Sequence, residues 1–176
     1  MSLFNAFMTC AAEPAENRFG LTGIFVNPVE RDIAATNGKV ILFLDDLTRF
    51  DSALLRISEE AKAFWRIHSP DGSATDPYII RPPKIAAAVD KECVDFAGAC
   101  EFPNIHAAIP EYGTEKVYPV FSFAVIKTIK KVYKELSFLE EGFHGFRFGG
   151  KDVAIIKQLH EYKLLVMPLH VVEEEA

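Results

Sequence analysis

Four lysines, Lys127, Lys130, Lys131 and Lys134, recur at spacings of one, three and four residues in a segment with the apolar rhythm of a helix. At about 3.6 residues per turn they fall within an arc of roughly 100°. Only Glu135, at the border of the row, offers one of them an acidic i,i+4 partner. A row of ammonium groups creates a local positive field, and its natural counterpart is a phosphate backbone. The competing reading is a lysine face kept for solubility.

Other chemistry finds little support in residue spacing. The five histidines, His68, His106, His144, His160 and His170, form no His-x-x-x-His pair, so no metal ligand set is expected. Serine, cysteine and histidine do not fall in a nucleophile-elbow pattern. The stretches Gly142-Phe143-His144-Gly145 and Gly149-Gly150 lack the joint lysine and hydroxyl of a phosphate cradle and read as turns. The neighbouring acids Asp45-Asp46 and Glu59-Glu60 read as solvated edges or loops. No catalytic residue, metal or cofactor is therefore expected. An enzyme assembled from scattered polar residues, among them Asp45, Asp46, His106 and Arg147, ranks last, because spacing identifies no proton donor and acceptor pair.

The lysine row needs a helix to present it, and residues 122–136 supply one. Val125, Ile126, Ile129, Val132, Tyr133 and Leu136 form a broad apolar face opposite the lysines. A second helix is expected over residues 3–12, where Leu3, Phe4, Phe7, Met8 and Ala11 share a face, with Ser2 as its N-cap and Pro14 beyond its end. Strand formers fill Phe19 to Val26, Asp32 to Thr36 and Val40 to Leu44. Asn37-Gly38 between the last two runs is a strong hairpin signal, since both residues tolerate positive φ. Residues 51–67 are ambiguous: Ala53 to Ile57 fits a strand, and Glu59 to Trp65 fits a helical turn or another strand. The proline-dense stretch that follows allows a short helix at Pro83 to Lys91. Strand-like segments close the chain around Phe143 to Phe148, Val153 to Leu159 and Tyr162 to Val172.

A chain of 176 residues suits one domain with a sizeable core. Its 49% apolar and 25% charged residues are ordinary globular usage. A net charge of −6 argues against a surface that coats nucleic acid everywhere, yet it is compatible with one basic stripe on an acidic body. Cys10, Cys93 and Cys100 are an odd set without Cys-x-x-Cys spacing, which points to buried thiols in a reducing, cytoplasmic setting. No apolar run approaches the ~20 residues that span a bilayer, so no membrane partner is expected.

The order of four short motifs resembles a known family. Arg18-Phe19-Gly20-Leu21-Thr22-Gly23-Ile24 is similar to the Arg-Tyr-x-Leu-x-Gly-Ile segment that opens a domain of the bacterial DNA polymerase sliding clamps, the processivity beta subunit. Ala35-Thr36-Asn37-Gly38-Lys39-Val40-Ile41 resembles that family's Ala-Thr-Asp-Gly-His-Arg-Leu hairpin. Phe102-Pro103-Asn104-Ile105-His106-Ala107-Ala108-Ile109-Pro110 resembles its Phe-Pro-Asp-Tyr-Arg-x-x-Ile-Pro connector, and Leu165-Val166-Met167-Pro168-Leu169 its Val-Val-Met-Pro-Met terminus.

The resemblance implies an α+β, DNA-clamp-like domain with two helices packed on antiparallel sheets, spanning residues 1–176 with an insertion at 68–100. It implies that the 122–136 helix meets double-stranded DNA through Lys127, Lys130, Lys131 and Lys134. It also places Thr36, Lys39, Ile41, Val166 and Met167 in a cleft for short peptides of replication proteins. Clamps of this family carry three such domains and close as a ring, so one domain implies a homo-oligomer. His-Arg of the family hairpin is replaced here by Lys39-Val40. The function expected is a non-catalytic module associated with DNA or the replication machinery; the alternative is a protein-binding or inhibitory module without DNA contact.

Overall fold

In the computed structural model, the hairpin around Asn37-Gly38 sits at the centre of the fold. The structure describes residues 3–16, 21–44, 76–96, 102, 104, 107, 121–136, 155–159 and 162–167. Strands β1 (Ile24–Asn27), β2 (Asp32–Thr36) and β3 (Val40–Leu44) form an antiparallel meander. Of the two turn residues, Gly38 alone takes positive φ, at 82°. Asn37 contributes its side chain instead: Oδ1 accepts the N–H groups of Lys39 and Val40, each at 3.0 Å. The turn expected at Asn37-Gly38 is thus present, closed by an Asx interaction and one glycine.

Four more strands complete the sheet: β4 (Tyr78–Ile80), β5 (Val94–Phe96), β6 (Ile155–Leu159) and β7 (Tyr162–Val166). The order is β5-β4-β1-β2-β3-β7-β6, and every pairing is antiparallel. The segment read from sequence as an insertion therefore adds β4 and β5 to the same sheet, beside β1. A short helix, α2 (Pro83–Ala88), joins them and starts with proline, whose missing N–H is harmless in a first turn. Plural sheets were expected, whereas the strands of the described residues form one.

Alternation along the strands sorts the side chains into two faces. Ile24, Val26, Ile33, Ala35, Val40 and Leu42 point to one side, where they pack with helices α1 (Leu3–Cys10) and α3 (Phe123–Leu136). The two helices lie side by side on that face. Phe4, Phe7 and Cys10 anchor α1, and Val125, Ile129, Val132 and Tyr133 anchor α3. Burying each of the larger of these stabilises the fold by roughly 1.5–3 kcal/mol, which fixes the rotation of α3 about its own axis. On the opposite face a smaller cluster joins Ala34 and Phe43 to Phe25, Ile41 and Phe102. There the rings of Phe25 and Phe102 stack with centroids 4.3 Å apart.

The start of β1 is set by a close approach. A Cβ on Gly23 would lie 2.6 Å from the Ile80 carbonyl oxygen and 2.6 Å from Ile79 Cγ2. Only glycine fits between these strands. The strand read from Phe19 begins at Ile24, and residues 17–20 lie outside the described set.

Candidate nucleic-acid interface

Ser122 starts α3 by accepting the Val125 N–H on its hydroxyl oxygen at 3.3 Å and the Ile126 N–H on its carbonyl at 3.1 Å. Because Ile129 and Val132 are fully buried beneath, the opposite face must look outward. Lys127, Lys130, Lys131 and Lys134 are all exposed there. The row begins with an aromatic: Phe123 is 82% exposed and precedes Lys127, Lys130 and Lys134 at the i, i+4, i+7, i+11 positions of one helix line. At about 1.5 Å per residue, this line is roughly 16 Å long.

The two flanks of the row meet different surroundings. Lys131 and Lys134 line an open groove of about 720 Å³ between α3 and α1, with Lys39 of the β2–β3 hairpin also on its wall. Glu13, Glu16 and Glu135 line the same groove, so its charge is mixed. Lys127 and Lys130 are not part of that wall. Helix α1 contributes no basic residue.

The five residues assigned to a peptide cleft do converge on one end of the sheet. Thr36 pairs with Ile41, Val40 pairs with Val166, and the Met167 N–H donates to the Lys39 carbonyl at 2.8 Å. They do not share a face. Val166 is fully buried beneath the helices, Thr36 is buried with its Oγ1 accepting the Gly38 N–H, and Ile41 is half-buried against the second cluster. Lys39 and Met167 are the members exposed to solvent.

Spacing alone did not bring out two residues. Arg81 directly follows β4 and is fully buried; its Nε donates to Thr22 Oγ1 at 3.1 Å and its Nη1 to Asp95 Oδ2 at 3.3 Å. Its backbone N–H donates to the Cys93 carbonyl. This arginine ties β5 to the start of β1 and has no open surface for a ligand. Phe123 is the other, and its place on the lysine line is the signal that could have singled it out.

Cys10 lies fully buried between α1 and the sheet. Desolvation pushes its thiol well up, and a hydrogen bond with the Leu42 backbone acts the other way without offsetting it. It is therefore held as a neutral thiol, the opposite of a reactive nucleophile. Among the described residues, no group of three or more histidines, cysteines or acids is placed to hold a metal. The five histidines, Asp45, Asp46, Glu59, Glu60 and Arg147 lie outside the described residues. No described helix is long and apolar enough to cross a membrane.

Comparisons with family models, curated proteins and solved structures find no match to this chain. The shape and charge of its own surface must carry any functional assignment.

Proposed function

We propose that this chain is a non-catalytic, clamp-like module associated with DNA and the replication machinery, in which α3 meets the phosphate backbone. The supporting observation is the exposure of Lys127, Lys130, Lys131 and Lys134 on the outer face of a helix whose inner face is locked into the core. Four cations on a rigid cylinder suit a regular array of phosphates and carry no base code, so binding is sequence-independent. The two helices side by side on an antiparallel sheet are compatible with a clamp-like domain. One copy presents one short cationic row; a homo-oligomer that aligns several rows would bind more tightly through effective concentration. A cytoplasmic location belongs to the same proposal.

The test is fluorescence anisotropy with duplex DNA at several salt concentrations. Each phosphate neutralised adds about 0.9 to the log–log salt slope. Lys130→Ala with Lys131→Ala should leave folding intact, since both side chains are exposed, and should flatten the slope by roughly two units. Light scattering on the same sample reads the assembly state.

One observation favours a second reading, a protein-binding module: the groove between α1 and α3 carries Lys39, Lys131 and Lys134 beside Glu13, Glu16 and Glu135. Mixed charge suits a polypeptide better than a phosphate chain. No duplex binding at low salt, or equal slopes for wild type and double variant, would hand the case to this reading.

A further inference from the structure

We infer that α3 takes a single DNA strand, with the Phe123 ring as a stacking platform for one unpaired base at the start of the lysine row. This rests on the proposal that the lysine face meets DNA, and it specifies which form of DNA the face suits best. An isolated exposed phenylalanine is ordinary, because folded proteins leave much apolar surface in water. The position of Phe123 is what carries the inference: the residue, 82% exposed, stands on the same helix line as Lys127, Lys130 and Lys134.

The backbone that carries the ring is also held in place. Phe121 on one side packs against the core, Val125 on the other is buried in it, and Ser122 between them caps the helix. Phe123 is therefore presented outward on an ordered first turn, so little backbone freedom is lost when a base settles on it. The positive end of the helix dipole lies at this turn and adds to the attraction of the flanking phosphates.

Cations tracking a backbone next to an aromatic face are the combination by which proteins hold single strands, and they act without regard to sequence because every base has a π-face. In a duplex the bases are stacked on each other and are not available to Phe123. The lysines serve both forms of DNA, whereas the ring serves only the unpaired one.

The experiment compares a labelled oligo(dT) of roughly 15 nucleotides with a duplex of equal length, for the wild type and for Phe123→Ala, Phe123→Leu and Phe123→Trp. Circular dichroism confirms that each variant is folded. The expected result is tighter binding of the single strand by the wild type, a loss of about tenfold for Phe123→Ala and Phe123→Leu, and retention for Phe123→Trp. Duplex affinity and the salt slopes stay unchanged in all three. Unaltered oligo(dT) binding by the Ala and Leu variants, or a loss with Trp equal to that with Leu, would overturn stacking while duplex binding through the lysines still stood. No binding of either form at low salt removes both proposals together. A parallel titration with oligo(rU) separates DNA from RNA as the source of the strand.

Discussion

The guanidinium of Arg81 lies 3.3 Å from the Asp95 carboxylate, with 1% of the arginine side chain exposed and 20% of the aspartate. The two residues face each other across the short β4–β5 edge, and Thr22 holds the arginine from the third side. Removing one member of a buried pair leaves the other charge without compensation. Asp95→Ala strands the fully buried cation and should cost about 3 kcal/mol, the low end for such pairs because Asp95 keeps some contact with water. Arg81→Met keeps most of the packing and leaves an aspartate that water can reach, so its cost should be about half as large. Urea unfolding of the two variants measures both, and the predicted order, aspartate worse than arginine, is what the asymmetry in burial requires.

Gly23 and Gly38 are required for different reasons, and substitution separates them. Gly38 has positive φ, and a Cβ added there would meet nothing within 4 Å, so Gly38→Ala should cost about 1 kcal/mol and Gly38→Asn less, because asparagine tolerates that conformation. A Cβ on Gly23 would instead meet the Ile80 carbonyl oxygen at 2.6 Å. Gly23→Ala should cost about 3 kcal/mol through overpacking, and Gly23→Asn more. Thermal unfolding in which asparagine rescued position 23 would contradict the steric account.

The buried thiol of Cys10 gives stability a dependence on pH. In the unfolded chain it ionises near its ordinary value of 9.0, while in the fold desolvation keeps it protonated to higher pH. Its folded pKa is raised, so its contribution is fully present below 9.0 and is lost as pH rises towards the folded value. Between 9.0 and the folded value the slope should approach about 1.4 kcal/mol per pH unit, and Cys10→Ala should remove it. In a Cys93→Ala, Cys100→Ala background, the remaining thiol should react with a disulfide reagent only at the rate of unfolding. Rapid reaction in native buffer would show that the site opens locally.

The central hairpin and α3 were legible because each rests on local signals. Asn37-Gly38 lies between two apolar runs, and the buried face of α3 repeats at helical spacing over 14 residues. Strands β4 and β5 were not legible: each is three residues long, and prolines 77 and 82 bracket β4. Tyr78, Ile79 and Ile80 are buried on both faces, so they show no alternation for a period-two pattern to catch. Arg81 reads as a surface residue until Thr22, 59 positions away, and Asp95, 14 positions away, are seen around it. The lysines stand where their spacing put them, on the exposed face of α3. Phe123 followed the same spacing, but an aromatic at the start of an amphipathic helix is ordinarily counted with its core.

Strand β7 pairs with β3 along its whole length, and the residues that meet are separated by about 120 positions of chain. During synthesis, β3 emerges before β7 and waits for its neighbour while the whole intervening chain is made. At about 5–20 residues per second, its edge stays unpaired for roughly ten seconds. Ile41, Leu42, Phe43 and Leu44 are then an apolar strand with open backbone groups, the kind of template that recruits other chains. Crowded polysomes and rapid overexpression should therefore favour aggregation of nascent chains over folding, and slower synthesis at low temperature should raise the soluble yield.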